Sequence, residues 1–248
     1  MALGHVIATM NIKGGVGKTT VALLLLQELI ARGYKTALLD LDPNKPFVKF
    51  RNYRQNSGRD FPSTIIGLGE FDAKSFFPMV EELRESNDFI IIDCEGSQNF
   101  MLTKAASVTE AVIVPVNVSP LDSWSLPELT DFLNDQAQVM NRPLPYHILV
   151  NFTALGAVTP VWERDTITEI DEIGLPRFRT KLYDGRCFRD MWGYNSTLYE
   201  LRESEANDRA SQDRLRQVDR AIERGSELCD ELFKIMADNA SQRAGVGA

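Results

Sequence analysis

The sequence predicts an α/β protein: a doubly wound, mostly parallel sheet with helices on both faces. Three observations carry this. Segments of strand character alternate with segments of helix character from residue 5 to residue 183. Several strand segments are continuous apolar runs, as strands covered on both faces require. The first strand also passes into the first helix through a loop with Gly14, Gly15 and Gly17, a connection at which such sheets collect ligands.

Taken in order, residues 5–10 (HVIATM) are β-branched and alternating, a strand. Residues 21–33 (VALLLLQELIARG) are apolar helix formers ending at Gly33, a C-cap. Residues 35–42 (KTALLDLD) read as a buried strand ending in two carboxylates, and Pro43 and Pro46 turn the chain. Residues 47–70 mix aromatic, basic and turn-forming residues and give no clear helix; STIIGLG within them reads as a short strand. A helix over 72–86 follows, then the run DFIIID at 88–93, a loop at 95–97 and a short helix at 98–107. Residues 111–118 form a buried strand, 122–140 a helix, 146–152 a strand and 159–172 a helix. Residues 177–183 read as a last strand with alternating basic positions. From 205 to 238, Leu215, Val218, Ile222, Cys229, Leu232, Phe233 and Met236 recur mostly at helical spacing, interrupted near Gly225. The expectation is one domain over 1–238, with 205–238 as a helix packed on it and 239–248 as a disordered tail.

The loop reads Lys13-Gly14-Gly15-Val16-Gly17-Lys18-Thr19-Thr20. Its glycines remove the Cβ atoms that would keep backbone N–H groups away from phosphate oxygens, and the following helix turns its positive end toward the same anion. Lys18 neutralises β- and γ-phosphate charge, and Thr19 offers a hydroxyl to Mg²⁺. The general pattern GxxxxGK[ST] needs glycine at position 12, where this chain has Ile12, and a second lysine, Lys13, opens the loop. In this it resembles the deviant Walker A loop of the ParA/MinD family of P-loop NTPases. The resemblance implies an ATPase that closes as a homodimer around ATP, with Lys13 reaching the nucleotide held by the other subunit.

Asp93 ends its apolar strand as a Walker B aspartate does, which makes it a Mg²⁺ ligand beside Thr19. Asp40 and Asp42 resemble the family's D-x-D-P segment. Two acids two residues apart at an extended strand end are assigned different roles, Asp40 near the Mg²⁺ shell and Asp42 orienting or deprotonating the attacking water. Cys94-Glu95-Gly96-Ser97 departs from the small and proline residues of many relatives, and Glu95 adds a carboxylate close to the γ-phosphate region, either as a second water-orienting group or as one that faces solvent. Asn151 falls where the family reads the adenine edge with an asparagine, whose amide both donates and accepts.

At 248 residues the chain can bury a substantial core, and a net charge of −8 excludes a protein coated in basic charge while leaving room for a local patch. Such a patch is Arg177, Arg179, Lys181, Arg186 and Arg189, in the late segment where ParA proteins carry DNA-contacting basics. The resemblance therefore implies non-specific DNA binding by the ATP dimer, slow hydrolysis stimulated by a ParB-like partner, and partition or positioning of a plasmid, chromosome or protein cluster. The alternatives are a MinD-like membrane-cycling ATPase and a VirC-like accessory of conjugative or T-DNA transfer. The mixed charges of 205–238 disfavour the membrane, which wants clustered Lys and Arg. No basic region precedes a long apolar stretch, so no secretory signal is read, and the cytoplasm, in association with the nucleoid, is expected. The first strand begins almost at residue 3, leaving no N-terminal helix-turn-helix domain. Cys94, Cys187 and Cys229 are far apart, with no CxxC, which argues against a zinc site, a disulfide framework or an iron–sulfur relative.

Overall fold

The computed structural model describes residues 3–96, 100–118, 126–154, 159–206 and 212–246. The strands are β1 (His5–Thr9), β2 (Thr36–Asp40), β3 (Thr64–Gly67), β4 (Phe89–Asp93), β5 (Ala111–Asn117) and β6 (Tyr146–Asn151). They form one sheet in the order β3-β2-β4-β1-β5-β6, with every neighbouring pair parallel. The helices are α1 (Lys18–Ala31), α2 (Pro46–Asn56), α3 (Phe76–Ser86), α4 (Phe100–Val108), α5 (Leu126–Val139), α6 (Val161–Ile173), α7 (Arg186–Gly193), α8 (Leu198–Ala206) and α9 (Gln212–Val246). No described helix is long and apolar enough to cross a membrane.

The core is divided by the sheet. In β4, Ile91 joins the cluster beneath α1 and α9, whereas Ile90 and Ile92 join the cluster beneath α3, α4 and α5. A strand covered on both faces has no polar side to show, hence the unbroken apolar run. Helix α1 is buried from Val21 to Leu29 because the sheet lies under it and α9 over it. The crossing explains Gly225: a Cβ there would stand 2.8 Å from Leu24 Cδ1. Arg32 fastens the same contact, donating to Asp230 at 2.5 Å and to the Ser226 carbonyl at 3.0 Å.

The structure corrects the expectations in four places. Residues 46–56 are helix α2, with Pro46 at its start and Phe47, Phe50 and Arg54 inward. Residues 177–183 are not a strand; they form two isolated bridges, Arg177 with Ile148 of β6 and Tyr183 with Thr153 just beyond it. Between those bridges the chain of β6 and its exit advances five residues and the other segment six, so one extra residue breaks the ladder. The expected helix over 205–238 is instead the end of α8 and the longer α9. Helix α9 continues to Val246, through most of the segment expected to be a disordered tail. Residues 98–99 of the helix expected over 98–107, 122–125 of that over 122–140 and 207–211 of that over 205–238 lie outside the described residues.

Candidate nucleotide site

All six strands run the same way, so their C-terminal ends share one edge. β1, at the centre, delivers the glycine loop there. Register places Asp40 beside Asp93 and Asp93 beside Thr9 on adjacent strands. The loop is held from below. Asn11 donates to the Pro115 carbonyl at 2.8 Å and accepts from the Lys13 amide at 2.9 Å. Asn151 donates to the Val16 carbonyl at 2.8 Å. Gly17 has φ 95°, a left-handed conformation, and a Cβ on it would collide with the Asn151 amide nitrogen. From the other side, a Cβ on Gly96 would stand 2.9 Å from the Lys13 carbonyl oxygen, so the turn after Asp93 packs directly on the loop.

Helix α1 begins at the end of this loop with no side-chain cap and no acidic residue in its first turn. Its leading N–H groups and dipole are thus left for an anion. Lys18 is 6% exposed and donates to the Lys13 carbonyl at 2.7 Å. Burial pulls its ammonium below the ordinary value, opposed by the charges of Asp93, Asp42 and Glu95. Thr20 accepts a long hydrogen bond, 3.4 Å, from the Trp192 indole.

Asp93 is fully buried. Thr9 donates to its Oδ1 at 3.0 Å, and Oδ2 is buried without a hydrogen-bond partner. Burial, with a further contribution from the charge of Asp40, pushes its carboxyl up to about 7; the Thr19 and Thr9 hydroxyls and Lys18 pull the other way. A buried acceptor with no donor, close to a threonine hydroxyl, fits a hard oxygen-seeking cation. Among the described residues no group of three or more His, Cys, Asp or Glu forms a metal cage. A cation here would draw its remaining ligands from phosphate and water, as magnesium in nucleotide sites does.

Asp40 is equally buried but differently used. Its Oδ2 accepts from the Phe47 and Val48 amides at 2.9 and 3.2 Å, and its Oδ1 from the Asp42 amide at 3.3 Å. It caps α2. Burial raises its carboxyl to about 6 against those three amides, which favour the ionised form. Asp42 is half-buried, accepts from the Asn44 amide at 2.7 Å and contributes to the field on Lys18. Asn151, 4% exposed, spends its Oδ1 on the Phe152 amide and an Nδ2 hydrogen on Val16, so it is tied to the loop rather than turned outward.

The structure thus brings together Lys18, Thr19, Asp93 and Asp42, with Lys13 to Gly17 above them. Thr9, Asn11, Gly96 and Asn117, whose buried Oδ1 has no partner, were not singled out from the sequence. Polar residues at strand ends were the available signal. The basic group lies elsewhere and is largely paired: Arg177 with Asp171, Lys181 with Glu163, Arg186 with Asp190 and Arg189 with Asp184. Cys94, Cys187 and Cys229 are each free and buried.

A parallel sheet whose central strand feeds a glycine–lysine–threonine loop and an uncapped helix defines a P-loop nucleotide-binding protein. The chain belongs to the CobQ/CobB/MinD/ParA nucleotide-binding family, whose model matches residues 7–246. It is 21% identical over 203 residues to Protein ParA of Rhizobium radiobacter, covering 82% of this chain and 88% of that protein. It is 23% identical to Maintenance of carboxysome distribution protein A of Halothiobacillus neapolitanus, covering 86% and 93%. The fold is similar to that of Cyanothece McdA in its apo form, with a TM-score of 0.66 and 14% identity over 89% of this chain and 98% of that one.

Proposed function

We propose that the protein is a Mg²⁺-dependent ATPase whose ATP-bound sandwich homodimer binds DNA non-specifically and so partitions or positions a cargo, with a ParB-like partner stimulating slow hydrolysis and release. The observation that carries the hydrolytic part is the pairing of an unpartnered Asp93 oxygen with the Lys18–Thr19 start of an uncapped helix. The relatives named for ParA and for carboxysome distribution support the positioning part.

The loop amides and α1 hold the phosphates, and Lys18 neutralises their charge. Thr19 and Asp93 would hold magnesium, whose chemistry when bound is to neutralise charge on phosphate oxygens. Asp42 orients the attacking water or takes its proton, and Lys13 addresses the nucleotide of the other subunit. Asp40 supports the cation site from behind while capping α2. Asn151 holds the loop in register, and an adenine contact would require its amide to turn from these bonds. Contacts to DNA through Arg177, Lys181, Arg186 and Arg189 would require existing pairs to open, whereas Arg179 forms no ion pair among the described residues. Opening is easy for Arg186 and Arg189, whose pairs are exposed, and hard for Lys181, whose partner Glu163 is 4% exposed.

The test is binding to random-sequence duplex DNA with ATP, with ADP and without nucleotide, alongside light scattering of wild type and Lys13→Ala. The expected result is DNA binding and dimerisation only with ATP, with both lost in Lys13→Ala. An ATP-dependent dimer in that variant would remove the cross-subunit role of Lys13. Wild-type protein that binds no DNA in any nucleotide state would remove the scaffold reading.

A further inference from the structure

Residues 45–59 hold Lys45, Lys49, Arg51, Arg54 and Arg59 and no carboxylate, in a chain of net charge −8. Helix α2 sorts them. Phe47, Phe50 and Arg54 are buried, whereas Lys49, Asn52, Tyr53 and Asn56 are exposed at three- and four-residue spacing, forming one outward face. Every side chain on that face can give a hydrogen bond to a phosphate oxygen, and none carries negative charge.

The carboxylates nearest this face are already engaged. Glu70 takes a forked pair from Arg51, at 2.6 and 3.1 Å, and accepts from the Gly67 amide; Lys45 also lies in its field. Glu200 takes a forked pair from Arg54, at 2.7 and 2.8 Å. Asp60 is exposed at the end of the stretch. Among the described residues neither Lys49 nor Arg59 forms an ion pair. The Arg59 guanidinium lies 5.9 Å over the Tyr53 ring and reaches the Tyr194 carbonyl at 3.2 Å.

Beside the helix is a cavity of about 300 Å³, lined by Arg51, Arg54, Arg59, Asp60, Ser63 and Thr64 among others. Arg54 is 3% exposed, and its Nε is buried with no acceptor. The terminal nitrogens of Arg54 are taken by Glu200 and by the Asn195 and Asp60 carbonyls, and Arg51 by Glu70, so of the three guanidinium groups at the cavity Arg59 is the one without a carboxylate partner among the described residues. The helix is also joined to the nucleotide site, because its leading amides are the ones that Asp40 accepts from, next to Asp93 in the sheet.

We propose that this face of α2, together with Arg59 beside it, is the surface that contacts the phosphate backbone of nucleic acid, and that Asp40 links its position to the nucleotide site. The proposal rests on the DNA-scaffold reading and moves the contact away from 177–189, where most of the basic residues are paired within the protein. A lipid surface fits less well. A helix lying on a membrane inserts its apolar side, and the apolar side of α2 is buried in the core.

The test compares ATP-dependent DNA affinity, by anisotropy between 50 and 200 mM salt (about the range over which phosphate contacts show), in three proteins: wild type, Lys49→Glu, and Arg186→Ala combined with Arg189→Ala. Melting temperature and ATP-dependent dimerisation serve as controls for folding. The expected result is roughly a tenfold or greater loss in Lys49→Glu with a salt slope shallower by about 1, and a change within about twofold in the paired-arginine variant. Wild-type affinity in Lys49→Glu would overturn the surface and leave the DNA-scaffold reading standing; so would a large loss confined to the paired-arginine variant. Wild-type protein that binds no DNA would remove both. Lys49-dependent binding to phosphatidylserine vesicles without Lys49-dependent DNA binding would assign the face to lipid and overturn the proposal.

Discussion

β2 and β4 end in the same residue type at the same level of the sheet, and the two ends are put to different use. Asp40 and Asp93 are register partners, both fully buried, both with carboxyls raised by burial. Asp40 has three backbone amides on its two oxygens. Asp93 has the Thr9 hydroxyl on Oδ1, with the Thr19 hydroxyl and the Lys18 charge nearby also favouring its ionised form, and no hydrogen-bond partner on Oδ2. Burying a carboxylate without partners is costly, and a fold retains such a group where something outside the chain completes it. The contrast separates a carboxylate that shapes the backbone from one that awaits a ligand, although sequence position treats them alike.

The largest expected effect is on turnover. Asp93→Asn removes the charge that would face the cation and should lower ATP hydrolysis about 100-fold or more, a loss of about 3 kcal/mol in transition-state stabilisation. Asp40→Asn keeps an acceptor for the α2 amides and should retain most of the activity. Steady-state hydrolysis in the two variants decides the matter. An equal loss in both would place Asp40 among the groups that complete the magnesium shell, as the D-L-D-P segment suggests.

The next effect is on stability and has opposite signs at the two positions. Asp40→Ala leaves the first turn of α2 without its acceptor, a loss of the size of a helix cap, about 1–2 kcal/mol. Asp93→Ala removes a buried charge that Thr9, Thr19 and Lys18 compensate only in part, so protein without nucleotide or divalent cation should melt no lower than wild type and is expected to melt higher. Lys18 loses a favourable neighbour in that variant, which limits the gain. Thermal melts in EDTA check both; a lower melting temperature for Asp93→Ala than for Asp40→Ala would break the distinction.

Much of this site was legible because phosphate chemistry leaves few residue choices. Three glycines, Lys18 and Thr19 between a strand and a helix have little structural reason to occur together, and Asp93 closes a run that only a doubly covered strand tolerates. Helix α2 was hidden because its third inward position is Arg54; an arginine held by Glu200 from α8 breaks the apolar period by which a helix is recognised. The alternation at 177–183 is genuine, since Phe178, Thr180 and Leu182 are buried, but one surplus residue against β6 is a register property that no local pattern carries. The basic cluster looked open for a related reason. Its partners Asp171 and Glu163 come from α6, and only the fold brings them within reach. Gly225 read as a flaw in a helix, yet it is where α9 crosses Leu24.

A further effect expected is the pH dependence of stability. In the unfolded chain both carboxyls titrate near 4. Folded, Asp40 is raised to about 6 and Asp93 to about 7. Between pH 4 and 7, then, the folded protein holds protons that the unfolded chain has released. Stability must fall as pH rises through that window, because the folded form binds more protons there. Below about pH 4 both states are protonated and the penalty vanishes; above about pH 7 it is complete. Wild type melted in EDTA should lose stability from pH 5 to pH 7.5, and Asp93→Asn should lose less over the same interval, so that the two curves converge on the acid side. Parallel curves would mean that Asp93 is as well solvated as Asp40 is capped, and the unpartnered oxygen would no longer distinguish them. Adding Mg²⁺ and a non-hydrolysable ATP analogue at pH 7.5 should stabilise wild type more than Asp93→Asn, since only the wild-type carboxylate regains a partner for the charge it exposes to the site.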